Sequence, residues 1–254
     1  MTPLTFRAAT QLARMLLLSG VAGGAIGAAA QTAARPRVVY ASDGQSLIEA
    51  PASGTVKFMQ EWVVREVSHV PITTYVQDAA LPDICFFDSK AGEVFGDRFG
   101  PDLAALPRPS DRGYAASIRT LRAEHTDILR VVTGALRPRG LEVLAGVRMS
   151  DTHHRRIAAD EALCPRFTID HPDWVIRQPD GRDNETAMDY SHPGVREHRL
   201  AIMRELATDY DVDGLELNFI RWGKHFPRDE GAAKAPVMTE YIGQIRAMLD
   251  EAAR

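Results

Sequence analysis

The residues 215–220, Leu-Glu-Leu-Asn-Phe-Ile, alternate apolar and polar side chains, so an extended chain would turn Glu216 and Asn218 to one side and Leu215, Leu217 and Phe219 to the other. A carboxylate on a strand covered on both faces costs several kcal/mol to desolvate unless it is paired or opens on a wet cleft. Glu216 therefore marks either a structural ion pair or a site. Arg148, near the end of an earlier apolar segment, is the natural cation for it if the two strands are neighbours. Just past Arg148 come Asp151, His153 and His154, an acid with imidazoles that can shuttle protons, contact hydroxyls or bind a metal. A metal would need further ligands, for which His125, His192 and His225 are available without any spacing that requires them. Two more groups sit at presumptive loop edges. Asp189 and Tyr190 precede a helix start at Ser191-His192-Pro193, and Arg221, Trp222, His225 and Phe226 set polar arms beside aromatic platforms, as sugar-binding clefts do. Ordinary turn and packing roles account for the same residues equally well.

These groups need a scaffold that collects strand ends, and the chain has the pattern for one. A strand at 38–41 runs into the turn Ser42-Asp43-Gly44. Val56, Met59, Trp62, Val63 and Val67 recur at helical spacing, and 72–76 and 84–87 are β-rich. Residues 115–136 read as helix broken near His125-Thr126-Asp127, with Thr126 as the cap of the second half. Residues 141–149 form a strand, a long polar excursion reaches Asp189, Pro193 opens a helix, and 237–253 form a last helix. Strands alternating with helices predict an α/β fold with a parallel sheet of the TIM-barrel type, whose working edge lies at the strand C-termini. Four or five strands are too few for eight, so the expectation is an incomplete barrel, about the first half.

The ends and the composition bound the setting. Arg7 and Arg14 precede an apolar, Gly- and Ala-rich run that ends in Ala28-Ala29-Ala30-Gln31. Residues 1–30 read as a secretory signal peptide, 31–36 as a linker and 37–254 as the folded domain. The run falls short of the roughly 20 strongly apolar residues that span a bilayer, so no stable membrane span is expected after cleavage. Secretion or a periplasmic location follows, where Cys85 and Cys164 are free to pair or to stay as buried thiols. With 30 Lys and Arg against 34 Asp and Glu, no nucleic-acid surface driven by net charge is expected.

The segments Arg148-Met149-Ser150-Asp151-Thr152-His153-His154, Asp189-Tyr190-Ser191-His192-Pro193 and 210–221 together resemble the family-10-like glycosyl hydrolases, secreted bacterial TIM-barrel proteins. Ser42-Asp43-Gly44 is similar to the turn after that family's first barrel strand. The resemblance implies a carbohydrate substrate, carboxylate acid/base chemistry and no cofactor. It makes Glu216 the acid or base and Asp151 the second carboxylate, facing one cavity from neighbouring strands. Asp43, Tyr75, Arg148, His153 and Asp189 become substrate-binding residues, joined by Tyr190, Asn218, Arg221, Trp222 and His225, with no metal in the site. Two departures stand out. Asn218 occupies a position where the family pattern has Asp, and an amide is no carboxylate nucleophile. The chain also ends after a helix that should feed the next strand. A non-catalytic carbohydrate-binding remnant and a metal-dependent hydrolase built on Asp151, His153 and His154 stay open, as does self-association through exposed sheet edges.

Overall fold

The structure is a computed structural model that describes residues 36–177, 186–220 and 222–254. The expected signal peptide, the middle of the polar excursion and Arg221 lie outside the described residues. Four parallel strands form the frame: β1 (Val39–Ser42), β2 (Thr74–Leu81), β5 (Glu142–Arg148) and β6 (Gly214–Asn218). They lie side by side in the order β1-β2-β5-β6, so each is next to the strand that precedes it in this frame. Two short strands, β3 (Ile84–Cys85) and β4 (Glu93–Val94), extend the far end of β2, with β3 doubling back antiparallel on Ala80 and Leu81. Arg37–Arg254 make one compact unit. This is an α/β, parallel, incomplete barrel.

Each connection runs through helices that cover one face of the sheet. Between β1 and β2 lie α1 (Gln45–Glu49), which the sequence pattern did not announce, and α2 (Thr55–Val67). Before β5 come α3 (Pro109–Ala123) and α4 (Ile128–Leu136), separated at the predicted break. The cap of α4 is Asp127 rather than Thr126, its carboxylate accepting the Arg130 backbone N–H at 3.0 Å. A short α5 (Arg166–Asp170) lies in the excursion, and α6 (Pro193–Asp209) and α7 (Gly231–Ala252) flank β6. The helix-facing side chains make two cores. Tyr75 and Val143 pack with Met59, Leu121 and Val132, while Ala145, Val147, Met203 and Tyr241 form the second. Cys85 and Cys164 are both buried as free thiols, each within its own surroundings.

A bulge in β2 sets which of its side chains face inward. Asp78 pairs with Gly146 but Ala80 pairs with Val147, which leaves Ala79 as an extra residue. Both Ala79 and Ala80 thereby join the helix-side core, while Val76 and Asp78 stay on the inner face. On that face Val76, Asp78 and Arg148 are buried. Val39 and Ile220, at the two ends of the frame, are 53% and 77% exposed. Among the described residues no helix is long and apolar enough to cross a membrane.

Candidate functional site

The β5–β6 register sets Gly146 beside Glu216 and Arg148 beside Asn218. Paired residues of a parallel sheet share a face, so Glu216, Asn218 and Arg148 all look inward, as the alternation predicted. Glu216 does not make the expected contact with Arg148, however: no hydrogen bond or ion pair joins them. The guanidinium is turned to the other side, where Nη2 lies 2.9 Å from Asp78 Oδ2 and Nε donates to the same oxygen at 3.1 Å. Its Nη1 donates to Asp151 Oδ2 at 3.3 Å. Arg148 is 8% exposed and Asp78 5%, so charge pairing at this depth also settles the arginine's rotamer. Glu216 Oε2 is buried with no hydrogen-bond partner. Burial, with the Asp78 charge adding, pushes the Glu216 pKa above that of an ordinary glutamate, against the pull of Arg148.

Asp151 is fixed in the opposite sense. Its carboxylate accepts the His153 backbone N–H at 2.9 Å and contacts His153 Nδ1 at 2.7 and 2.8 Å. Burial alone would raise its pKa, but the His153 hydrogen bonds and the charges of His153 and Arg148 outweigh it, and the pKa is lowered. Both oxygens are thus engaged and the side chain is 3% exposed. Asp151, expected as the second reactive carboxylate, has both oxygens committed to neighbouring side chains. It anchors Arg148 and His153, whose Nδ1 proton must point at the acid.

Beside this hub, at the C-terminal ends of β1, β2 and β5, lies a cavity of about 210 Å³. Asp43, Arg148 and His153 line it together with Phe86, Phe95 and Tyr114. Phe86 and Tyr114 stack at 5.5 Å, the kind of apolar face a sugar ring covers, and the Arg108–Asp111 pair at 2.8 Å supplies charge at the rim. Neither Glu216 nor Asp151 lines it.

Several predicted contacts are elsewhere. Tyr75 faces the helices, fully buried, with its hydroxyl donating to Glu66 at 2.8 Å; β2 begins two residues later than expected and the alternation puts Tyr75 on its outer face. Tyr190 is equally buried, its ring beneath the Arg199 guanidinium at 4.7 Å and its hydroxyl donating to the Met149 carbonyl. Asp189 caps the turn into α6, accepting the Ser191 N–H at 2.7 Å. Tyr75 thus ties β2 to α2, while Tyr190 and Asp189 fix the entry to α6. His225 packs edge-on against Tyr190 and Phe219 and opens on a separate, mainly apolar cavity of about 540 Å³ beside α7. Asn218 is inward, but its Oδ1 accepts the Ile220 N–H at 3.1 Å. Trp222 reaches the site, edge-on to the His153 ring at 5.6 Å, with its indole N–H buried and unpartnered. His154 is buried rather than solvated. Among the described residues no three His, Cys, Asp or Glu side chains are grouped to share a metal ion.

Sequence reasoning missed Asp78, Phe86, Phe95 and Tyr114. Asp78 carries the same signal as Glu216, a carboxylate inside a strand, and its strand is buried along its whole length.

No family model matches the chain, and no curated protein sequence matches it. Among solved structures it is similar to alpha-L-fucosidase isoenzyme 2 from Paenibacillus thiaminolyticus, with a TM-score of 0.52 and 14% identity over 84% of this chain and 30% of that one. A noncanonic maltogenic alpha-amylase, AmyB, from Thermotoga neapolitana gives 0.46 and 14% over 86% and 44% of the two chains. An alpha-galactosidase from Thermus thermophilus, in complex with p-nitrophenyl alpha-D-galactopyranoside, gives 0.45 and 18% over 86% and 37%. The first of these shows a shared fold. The chain spans under half the length of each of the three.

Proposed function

We propose that the chain acts on a poly- or oligosaccharide at the C-terminal edge of its sheet, with Glu216 as the proton-donating or proton-accepting group. The observation that carries this reading is the Glu216 carboxyl itself. It stands on the inner face of a barrel-type sheet, one oxygen buried without a partner, and holds its proton to higher pH than a solvated glutamate does. A general acid working near neutral pH needs that property. The stacked Phe86 and Tyr114 beside Asp43, Arg148 and His153 offer an apolar face with polar arms, and the fold likeness to a fucosidase structure agrees with such a ligand. The test is release of reducing sugar from a polysaccharide panel. Wild-type activity should fall about 100-fold or more in Glu216→Gln, and equal rates would remove Glu216 from the chemistry.

Asn218 favours a second reading, binding without turnover. An amide whose oxygen already accepts the Ile220 N–H supplies no nucleophile. Calorimetric binding of oligosaccharides with no product formed would support it. Export through the predicted signal peptide and self-association through the free edges of β1 and β6 belong to the same proposal. N-terminal sequencing of exported protein, expected to begin near Gln31, checks the first.

A further inference from the structure

The second carboxylate of the site is set by strand register. Asp78 pairs with Gly146 and Gly146 pairs with Glu216, so the three residues form one straight row across β2, β5 and β6, all on the inner face. Two strand spacings separate the outer backbones by roughly 9–10 Å. Glycine in the middle leaves that gap without a side chain. It also leaves room that Asp78 uses: a Cβ at Gly146 would stand 2.9 Å from Asp78 Oδ1 and 3.1 Å from Val76 Cγ1. The Asp78 carboxylate therefore leans over Gly146, toward β6. Arg148 grips only its far oxygen, Oδ2, through Nε and Nη2. Across the gap stands Glu216, with Oε2 buried and unpartnered.

We propose that Asp78, and not Asp151, is the carboxylate that works opposite Glu216, the two facing each other across the Gly146 gap. Its chemical meaning rests on the carbohydrate reading of the site. Arg148, itself anchored by Asp151, favours the charged form of Asp78 against its burial, while the buried oxygen of Glu216 has no partner. Burial raises both carboxyls; the Asp78 charge raises Glu216 further, while at Asp78 the charges of Asp43 and Asp151 add to the rise and Arg148 opposes it. The roughly 9–10 Å between the outer backbones is of the scale on which an acid and a base about 6.5–9.5 Å apart leave room for a water molecule between them. In hydrolysis Glu216 would give its proton to the leaving glycosidic oxygen as the bond from C1 to that oxygen breaks. Water would form the new bond to C1 and give its proton to Asp78. One glycosidic bond and one water are consumed, two hydroxyls appear, and solvent returns the proton from Asp78 to Glu216.

Titration of carboxylates labelled with carbon-13 tests the pairing without any substrate. The Glu216 signal is assigned by its loss in Glu216→Gln. In Asp78→Asn its midpoint should fall by about half a pH unit or more, and by less in Asp151→Asn. An unchanged midpoint in Asp78→Asn, or a larger fall in Asp151→Asn, overturns the proposal. If Asp78→Asn does not fold, the reciprocal measurement serves: the Asp78 midpoint must fall in Glu216→Gln, and an unmoved one overturns the pairing. With sugar release as a second readout, Asp78→Asn should lose about 100-fold or more and Asp151→Asn less. Full activity in Asp78→Asn also overturns the proposal. Coupled titration in a protein that releases sugar from no substrate would sustain the pair and sink the hydrolase reading instead.

Discussion

At the scale of single residues, local surroundings divide chemically similar side chains into different roles. Asp151 and Glu216 are both acids near Arg148, yet hydrogen bonds and charge lower one while burial raises the other. Burial also disfavours the charged form of His225. Burial, with the Arg199 charge adding, pushes the His225 pKa from 6.5 to about 4, and its Nδ1 is buried without a partner. The folded protein thus holds His225 neutral where the unfolded chain would protonate it. Its contribution to stability is complete above about pH 6.5, is lost as pH falls from there toward about 4, and is constant below. Allowing for solvent screening of a partly exposed ring, His225→Phe should lose about 1–2 kcal/mol less than wild type over that window. Urea unfolding at about pH 7 and about pH 4.5 measures it; parallel losses in the two proteins would contradict the assignment. Glu216 and Asp151 were legible as candidates from residue type and position alone. Which of them is free to react was not, because that depends on where one guanidinium points.

At the scale of elements, strand boundaries decided what the sequence could reveal. The apolar run 72–76 suggested a short strand ending before Asp78, whereas β2 continues to Leu81 and carries Asp78 in its interior. Register with Tyr40 and Val143 sets Tyr75 on the outer face. By contrast, the alternation in β6, the strand at 142–148 and the Pro193 helix start were readable because each is periodic over several residues. The excursion between β5 and α6 has no such period, and neither does the pairing of α6 with the turn after β2. Arg199 on α6 bonds both oxygens of Asp83, Nε to Oδ1 at 2.9 Å and Nη2 to Oδ2 at 2.8 Å, and Nη1 reaches the Met149 carbonyl. With Asp83 1% and Arg199 3% exposed, removing one partner strands a buried charge. Arg199→Ala should cost about 3–5 kcal/mol, read from chemical denaturation. A loss under about 1 kcal/mol would mean that water reaches Asp83.

At the scale of the whole molecule, β1 and β6 are the outer strands of the four-strand frame, and among the described residues each pairs with one neighbour and leaves an edge. Val39 and Ile220 sit exposed at those edges, where backbone groups can pair with another strand. Sedimentation should therefore show mass rising with concentration over about a tenfold range, and Val39→Lys with Ile220→Lys should suppress the rise. A wild-type coefficient independent of concentration would refute edge pairing. The sequence by itself determined the class of fold and the inward face of Glu216, because helix and strand periods are local and leave a signature in residue order. Only the tertiary structure decided that Arg148 turns to Asp78 and Asp151, that Tyr75 and Tyr190 are core, and that Asp78, Gly146 and Glu216 share one row. Register and rotamer arise from contacts between strands 68 to 70 residues apart in the chain, and no local pattern encodes them.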